Sequence, residues 1–441
     1  MKKILVLGAG RSSSALISYL IKNASANDWQ ITVGDFSKTT AQERVGSSPN
    51  ARAIAFNIED TENSKTTIRD ADVVISLIPA SLHTLVAKIC LTEKKHLFTA
   101  SYVSDEMKNF HAEAKTNGLL FLNECGLDPG IDHMSAIQVI DTIKAEGGRM
   151  VSFESFTGGL ISPETDPENP WRYKFTWNPR NVVLAGQGTA KYLQDGKFRY
   201  IPYQQLFQRT TPITVPSLGE YEGYANRDSL KYVDVYGLQE CKTVLRGTLR
   251  NKGYCSAWNV LAQLGCCDDT YQMDGIDAMT HNDFLSSFLE SGKNVQEEIR
   301  KCFSLSANGE ELKRLNWSGF FSNEKVGLEK GTPAQALEHI LNKKWKLKAG
   351  DKDFIVMWHR FRYLLDGKEK EIQAWLTATG EDETQTAMAK TVGLPLAIAA
   401  KLLLQNKIHR WGVVIPVAKE IYEPVLAELK ELGIGLQEKH I

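Results

Sequence analysis

The chain has 441 residues, 42% hydrophobic and 24% charged, a balance typical of folded globular domains. At roughly 100 to 200 residues per domain, this length implies about two to four domains and excludes a lone small binding module. With 52 Lys+Arg against 53 Asp+Glu, the formal charge of -1 supplies no basic field, so neither nucleic acid nor an anionic membrane is an expected partner.

In chain order, Met1-Lys2-Lys3 leads into an apolar run, Ile4-Leu5-Val6-Leu7, that is too short for the core of a signal peptide. Lys401 interrupts the apolar stretch Leu394 to Leu404, so no membrane helix is expected and a cytoplasmic location is. Cys90, Cys125, Cys241, Cys255, Cys266, Cys267 and Cys302 form no C-x-x-C pair and are expected to be reduced and mostly packed, with no metal site.

The first 125 or so residues alternate short apolar runs with amphipathic segments: Ile4 to Leu7, Ile31 to Gly34, Ala53 to Phe56, Val73 to Ile78, Leu97 to Ala100 and Leu119 to Leu122. Uninterrupted Val/Ile/Leu runs suit strands covered by helices on both faces, which predicts a parallel sheet in βαβ order. Ala15, Leu16, Tyr19 and Leu20 recur at helical spacing after the first run.

Gly8-Ala9-Gly10-Arg11-Ser12-Ser13 joins that strand to that helix, the setting in which a glycine turn holds a dinucleotide pyrophosphate at a helix N-terminus. Ser13 stands where a third glycine would serve helix packing. Asp35 closes the second run and is placed to accept from the adenosine ribose hydroxyls, which predicts NAD, with NADP possible if Lys38 or Arg11 pairs with a 2′-phosphate. Pro79-Ala80 and Ser101-Tyr102 end the fourth and fifth strands, at the carboxyl edge where ligands of such sheets collect.

Beyond Gly130 the texture is aromatic and β-branched. Phe153 to Thr157, Tyr173 to Trp177, Tyr232 to Tyr236 and Thr243 to Arg250 read as strands. Segments such as Phe284 to Leu289, Glu297 to Phe303 and Ala334 to Leu341 read as helices. Phe354 to Leu364 and Ile372 to Thr379 flank Asp366-Gly367, a hairpin-turn dipeptide. Ala387 to Leu404 and Val425 to Leu432 are helical, with Val413-Val414-Ile415 between them, and are expected to pack back on the first domain.

Glu124-Cys125-Gly126-Leu127-Asp128-Pro129-Gly130-Ile131-Asp132-His133, Thr157-Gly158-Gly159-Leu160, Glu222-Gly223-Tyr224-Ala225-Asn226-Arg227-Asp228-Ser229 and Arg246-Gly247-Thr248-Leu249-Arg250-Asn251-Lys252-Gly253 occur in that order. Together with the N-terminal turn, Pro170 to Arg180 and Thr391-Val392-Gly393-Leu394-Pro395, they resemble the saccharopine reductase family, the glutamate-forming saccharopine dehydrogenases, over nearly the whole chain. One departure is Thr157, where the family often has cysteine.

The resemblance implies an α/β chain. Its parts are a Rossmann-like parallel-sheet domain at residues 1–127 completed by 395–441, an α+β substrate and dimerisation domain at 128–255 and 346–394, and a helical insertion at 256–345. It implies NAD(P)-dependent interconversion of saccharopine and water with glutamate and aminoadipate semialdehyde, by hydride transfer and imine hydrolysis, in a homodimer. From the turn and the strand ends themselves, Gly8, Gly10, Arg11, Ser12, Ser13, Asp35, Pro79 and Ala80 are expected to bind the coenzyme, and the motif matches add the substrate side. Ser101, Tyr102, Asp128, Arg227, Thr248 and Arg250 bind substrate, and Tyr102 and Asp128 assist proton movement.

The residue types suit that chemistry, since planar guanidinium groups bind carboxylates at two points and two protons must move. His133 is expected to be structural, in the first turn of a helix capped by Asp132. Cys125 and the aromatics from Trp171 to Trp177 are expected to pack. The competing readings are a related imine-reducing enzyme such as carboxynorspermidine dehydrogenase, which would discard the arginines, and a non-catalytic NAD-binding sensor, which would lose Tyr102 and Asp128.

Overall fold

The apolar runs of the first third form the strands β1 (Lys2–Leu7), β2 (Trp29–Asp35), β3 (Ala51–Ala55), β4 (Val73–Ser76), β5 (His96–Thr99) and β6 (Leu120–Leu122). The computed structural model describes residues 1–185 and 187–441. It divides them into two units: Met1–Glu146 with Leu376–Gln437, and Gly147–Trp375 with Glu438–Ile441.

In the first unit the strand Gly412–Val414, β6, β5, β4, β1, β2 and β3 lie side by side in that order, all parallel. Ile4, Leu5, Val6 and Leu7 are at most 1% exposed, so β1 is covered on both faces, as its unbroken apolar run requires. The strand order reverses direction about β1, placing a topological switch point beyond its carboxyl end. Helix α1 (Ser14–Asn27) leaves β1 there and buries Ala15, Leu16, Tyr19 and Leu20.

The helix Ala387–Leu404 packs across α1 in the same unit. A Cβ on its Gly393 would lie 2.9 Å from the Leu16 side chain, so glycine permits the approach. With a mean hydropathy of 1.6 over 18 residues, this helix is long and apolar enough to cross a membrane, contrary to the expectation that no segment would be. It is 78% buried within the fold, and Lys401 pairs with Glu428, which also accepts from the Tyr19 hydroxyl. Its other cation, Lys390, pairs with Glu381, so both lysines of this core helix are neutralised by carboxylates.

The second unit is built on β7 (Arg149–Ile161), β8 (Ala190–Gln194), β9 (Lys197–Ile201), β10 (Thr210–Val215), β11 (Gly219–Ala225), β12 (Thr243–Asn251), β13 (Asp353–Leu365) and β14 (Lys368–Thr379). The order is β10, β11, β12, β7, β13, β14 and then the strand Gln437–His440, with the β8–β9 hairpin paired to β12. Asp366 (φ 52°) and Gly367 (φ 73°) make the two-residue turn between β13 and β14 that the dipeptide predicted. Beyond β14 the sheet is extended within the chain itself, where Glu371 exchanges backbone hydrogen bonds with Ile441.

Two expected strands are absent. Tyr173 to Trp177 is irregular and makes one bridge, Phe175 to Lys346, while Tyr232–Val235 is a short helix. The aromatic content that suggested strands is instead core packing. Trp171, Tyr173, Tyr254, Trp258 and Trp345 are buried with ring centroids 4.9 to 6.3 Å apart, and they tie the irregular segment to the helices Tyr254–Leu264 and Pro333–Trp345. Burial of such rings outweighs local strand propensity.

Candidate active site

Within the first unit, the glycine turn lies at the carboxyl end of β1. Gly8 takes φ 101°, and a Cβ there would lie 2.9 Å from the Leu77 backbone, so a side chain would be both strained and obstructed. Around Gly10 nothing lies within 4 Å of the Cβ position, leaving the backbone open to a pyrophosphate. Ser13 is fully buried and its hydroxyl donates to the Gly10 carbonyl at 2.8 Å, so serine supplies the packing of a third glycine and also braces the turn. Arg11 is exposed, Ser12 half-buried, and Pro79 and Ala80 are exposed at the end of β4. These groups fit a dinucleotide: an open glycine turn, a helix N-terminus and exposed strand ends on one edge of the sheet.

Asp35 ends β2, where the sequence placed it. Its two oxygens accept from the backbone N–H groups of Ala9 at 2.8 Å and Ser37 at 2.9 Å, so the carboxylate also ties the second strand to the glycine turn. The neighbouring helix α2 (Lys38–Val45) carries exposed Lys38 at its start, and Arg44 Nε donates to the Ala9 carbonyl at 3.3 Å. The sequence reading did not single out Arg44, because only the fold brings this helix position back to the turn.

Ser101 and Tyr102 follow β5, and the Tyr102 hydroxyl donates to Asp128 Oδ1 at 3.3 Å. The structure thus brings together the two residues expected to move protons. The intervening segment is clamped by Glu124, whose N–H donates to the Ser101 carbonyl at 3.1 Å and whose carboxylate accepts from the Val103 N–H at 3.0 Å. The other Glu124 oxygen meets His133 Nε2 at 2.9 Å, and both side chains are buried. His133 therefore holds the clamp and is structural, as expected. Gly130, not Asp132, caps its helix Ile131–Ala145; Asp132 sits inside the first turn and accepts from the Gly130 N–H. Cys125 is fully buried, and desolvation pushes its thiol well above the ordinary range, which suits packing and not nucleophilic attack.

His83 was missed by the sequence reading. It opens the helix His83–Thr92 and is 4% exposed; its Nδ1 lies 2.9 Å from Ser76 Oγ and its Nε2 lies 2.9 Å from Ser101 Oγ and 3.1 Å from Thr99 Oγ1. Its only sequence signal is a histidine at the start of an apolar helix, four residues after Pro79.

The second unit holds the expected carboxylate-binding groups. Arg227 is exposed with φ 50°, its carbonyl accepting from the Lys191 N–H at 2.7 Å. Thr248 and Arg250 lie on the same face of β12, within the strand expected over Thr243 to Arg250. Arg250 is 4% exposed, with its guanidinium 5.0 Å from the Tyr173 ring, 5.2 Å from Tyr254 and 5.9 Å from Tyr224. Its electrostatic partners are those tyrosines, none of its ion pairs among the described residues involves a carboxylate, and its Nε has no hydrogen-bond partner. Burial raises the Tyr173 hydroxyl to about 12, so the cage stays neutral.

Thr157 pairs in register with Thr248, and its buried hydroxyl also lacks a partner. A buried guanidinium without a carboxylate costs several kcal/mol, and a ligand carboxylate would offset that cost.

Residues 4–122 match the family described as the saccharopine dehydrogenase NADP binding domain, and residues 126–434 match the saccharopine dehydrogenase C-terminal domain. Saccharopine dehydrogenase [NADP(+), L-glutamate-forming] of Saccharomyces cerevisiae is 32% identical, over 100% of this chain and 99% of that protein. Mitochondrial alpha-aminoadipic semialdehyde synthase of Bos taurus is 35% identical over 98% of this chain but 47% of that protein, so the chain spans about half the length of several curated relatives it matches. The apo structure of the S. cerevisiae saccharopine dehydrogenase (L-Glu forming) superposes with a TM-score of 0.89 at 32% identity, covering 100% of both chains. A homospermidine synthase from Legionella pneumophila shares the fold, with a TM-score of 0.56 at 11% identity over 99% of this chain and 91% of that one.

Proposed function

The chain belongs to the saccharopine dehydrogenase family, and from that premise we propose that it interconverts L-saccharopine and water with L-glutamate and 2-aminoadipate 6-semialdehyde in lysine metabolism. The observation that carries this reading within the chain is Arg250, a buried cation in a tyrosine cage whose electrostatic partners include no carboxylate. Saccharopine bears three carboxylates, and a guanidinium fork with an idle Nε suits one of them. Arg227 and the Thr248 hydroxyl are proposed to bind substrate as well. A relative acting on an amine without such carboxylates would have no use for a buried Arg250, which disfavours that reading.

The glycine turn, Asp35 and the end of β4 would hold the coenzyme, whose nicotinamide would supply the hydride acceptor for oxidation of the substrate's secondary amine to an imine. The water that adds to the imine carbon must lose a proton, and the departing amine must gain one. Tyr102 and Asp128, one hydrogen bond apart, offer a path for both transfers. Glu124 and His133 hold the Tyr102 segment still while this happens.

For the coenzyme, use of both NADP and NAD at comparable efficiency replaces the expected preference for NAD. The matched domain and the S. cerevisiae relative carry NADP in their names. Asp35 opposes a 2′-phosphate by about 2 to 3 kcal/mol through repulsion and a lost ribose bond. Arg11, Lys38 and Arg44 stand close in the chain or the fold, and exposed pairings of about 1 kcal/mol each nearly cancel that cost. Asp35→Ser is expected to shift kcat/KM toward NADP about tenfold, and Lys38→Ala combined with Arg44→Ala to shift it toward NAD by a similar factor. Fluorescence titration with NADH and NADPH reads the same shifts in binding. A wild-type preference on the order of a hundredfold for either coenzyme would contradict the balance.

A homodimer is part of the proposal and rests on the family resemblance. Light scattering at micromolar concentration is expected to give twice the chain mass, and a monomer there would refute it.

A further inference from the structure

His83 joins the ends of two strands. Ser76 closes β4, while Thr99 closes β5 and Ser101 follows it; one imidazole touches all three hydroxyls. Neutral imidazole carries one donor and one acceptor nitrogen, so the two ends of the ring must play opposite roles. The Thr99 oxygen already accepts from the Ser101 N–H at 3.2 Å. Burial lowers the His83 pKa from 6.5 to about 4, so the ring stays neutral through the working pH range.

We propose that His83 is a positioning residue that makes Ser101 an obligate hydrogen-bond donor toward the ligand. In this arrangement the Ser76 hydroxyl donates to Nδ1, and Nε2–H donates to the Ser101 oxygen at 2.9 Å with Thr99 taking a minor share. The Ser101 proton is then directed outward, to a ligand oxygen that can only accept, such as a carboxylate or a carboxamide carbonyl. The opposite tautomer would turn the Ser101 proton inward to Nε2 and leave only lone pairs facing the ligand, which repel a carboxylate. The tautomer of a buried ring thereby selects the kind of group that Ser101 receives. This inference rests on the reading of Ser101 as a ligand-contacting residue.

The test has a spectroscopic arm and a kinetic arm. Nitrogen-15 NMR of histidine-labelled full-length protein reports which His83 nitrogen carries the proton, with His83→Asn assigning the resonance. The expected result is a protonated Nε2 and an unprotonated Nδ1, unchanged as pH rises from about 5 to 10. A protonated Nδ1 would overturn the inference.

In the kinetic arm, Ser101→Ala and His83→Phe are each expected to lower kcat/KM for saccharopine about tenfold, and the double variant to lose little more than either. His83→Gln, whose amide can still donate, is expected to recover part of the loss. If Ser101→Ala changes nothing, the ligand role of Ser101 fails and the inference falls with it. If Ser101→Ala is impaired while folded His83→Phe is not, or if the two losses multiply, the role of His83 alone is refuted.

Discussion

Arg250→Lys is expected to lower kcat/KM for saccharopine roughly 10- to 150-fold while leaving coenzyme affinity unchanged. Lysine keeps the charge but loses the planar fork, and one charge-assisted hydrogen bond is worth about 1.5 to 3 kcal/mol. The site magnifies the effect because Arg250 is buried among Tyr173, Tyr224 and Tyr254, where little water can replace the missing contact. Arg250→Met tests the null case: without the cation the cage should fold well and bind saccharopine poorly. Arg227→Lys should cost less, since Arg227 is exposed. Steady-state kinetics with saccharopine varied at saturating coenzyme distinguishes the outcomes. Unchanged kinetics in Arg250→Lys would make this arginine a packing residue.

The second large effect is expected at the proton-moving pair. Tyr102→Phe and Asp128→Asn should each reduce kcat by about 100-fold or more, the usual worth of a positioned acid or base. Because the two side chains share one hydrogen bond, the double variant should lose far less than the product of the single losses. Glutamate release should fall with coenzyme reduction in both variants if one path serves both steps. A single-turnover burst of coenzyme reduction that survives in Tyr102→Phe would confine the pair to hydrolysis. Full activity in both variants would leave the substrate amine as its own base and remove the pair from the mechanism.

The parallel sheet was legible because its central strands β1 and β4 carry unbroken apolar runs, and the glycine turn because Gly8 and Gly10 stand between a strand and a helix. The Tyr102–Asp128 pair was legible as two motif residues, but not as a contact, since 26 positions separate them. What the sequence hid has a common cause. Tyr173 has strand-like composition, yet long-range packing against Tyr254 and Trp345 holds it in an irregular segment, while Tyr232 meets Tyr236 one helical turn on. Arg250 was legible as a strand residue, but its burial among Tyr173, Tyr224 and Tyr254 was not, because those rings come from separate segments of the chain. His83, Arg44 and the Glu124 clamp acquire their roles through contacts across the fold, which no local pattern encodes.

The most direct test of the account is oxidation of saccharopine by the purified chain with NAD or NADP, following coenzyme reduction and glutamate together over about pH 7 to 10, because the substrate amine must be deprotonated. The account predicts one glutamate for each coenzyme reduced, with rates rising toward high pH. Saccharopine binding without either product, or coenzyme reduction without glutamate, would contradict it.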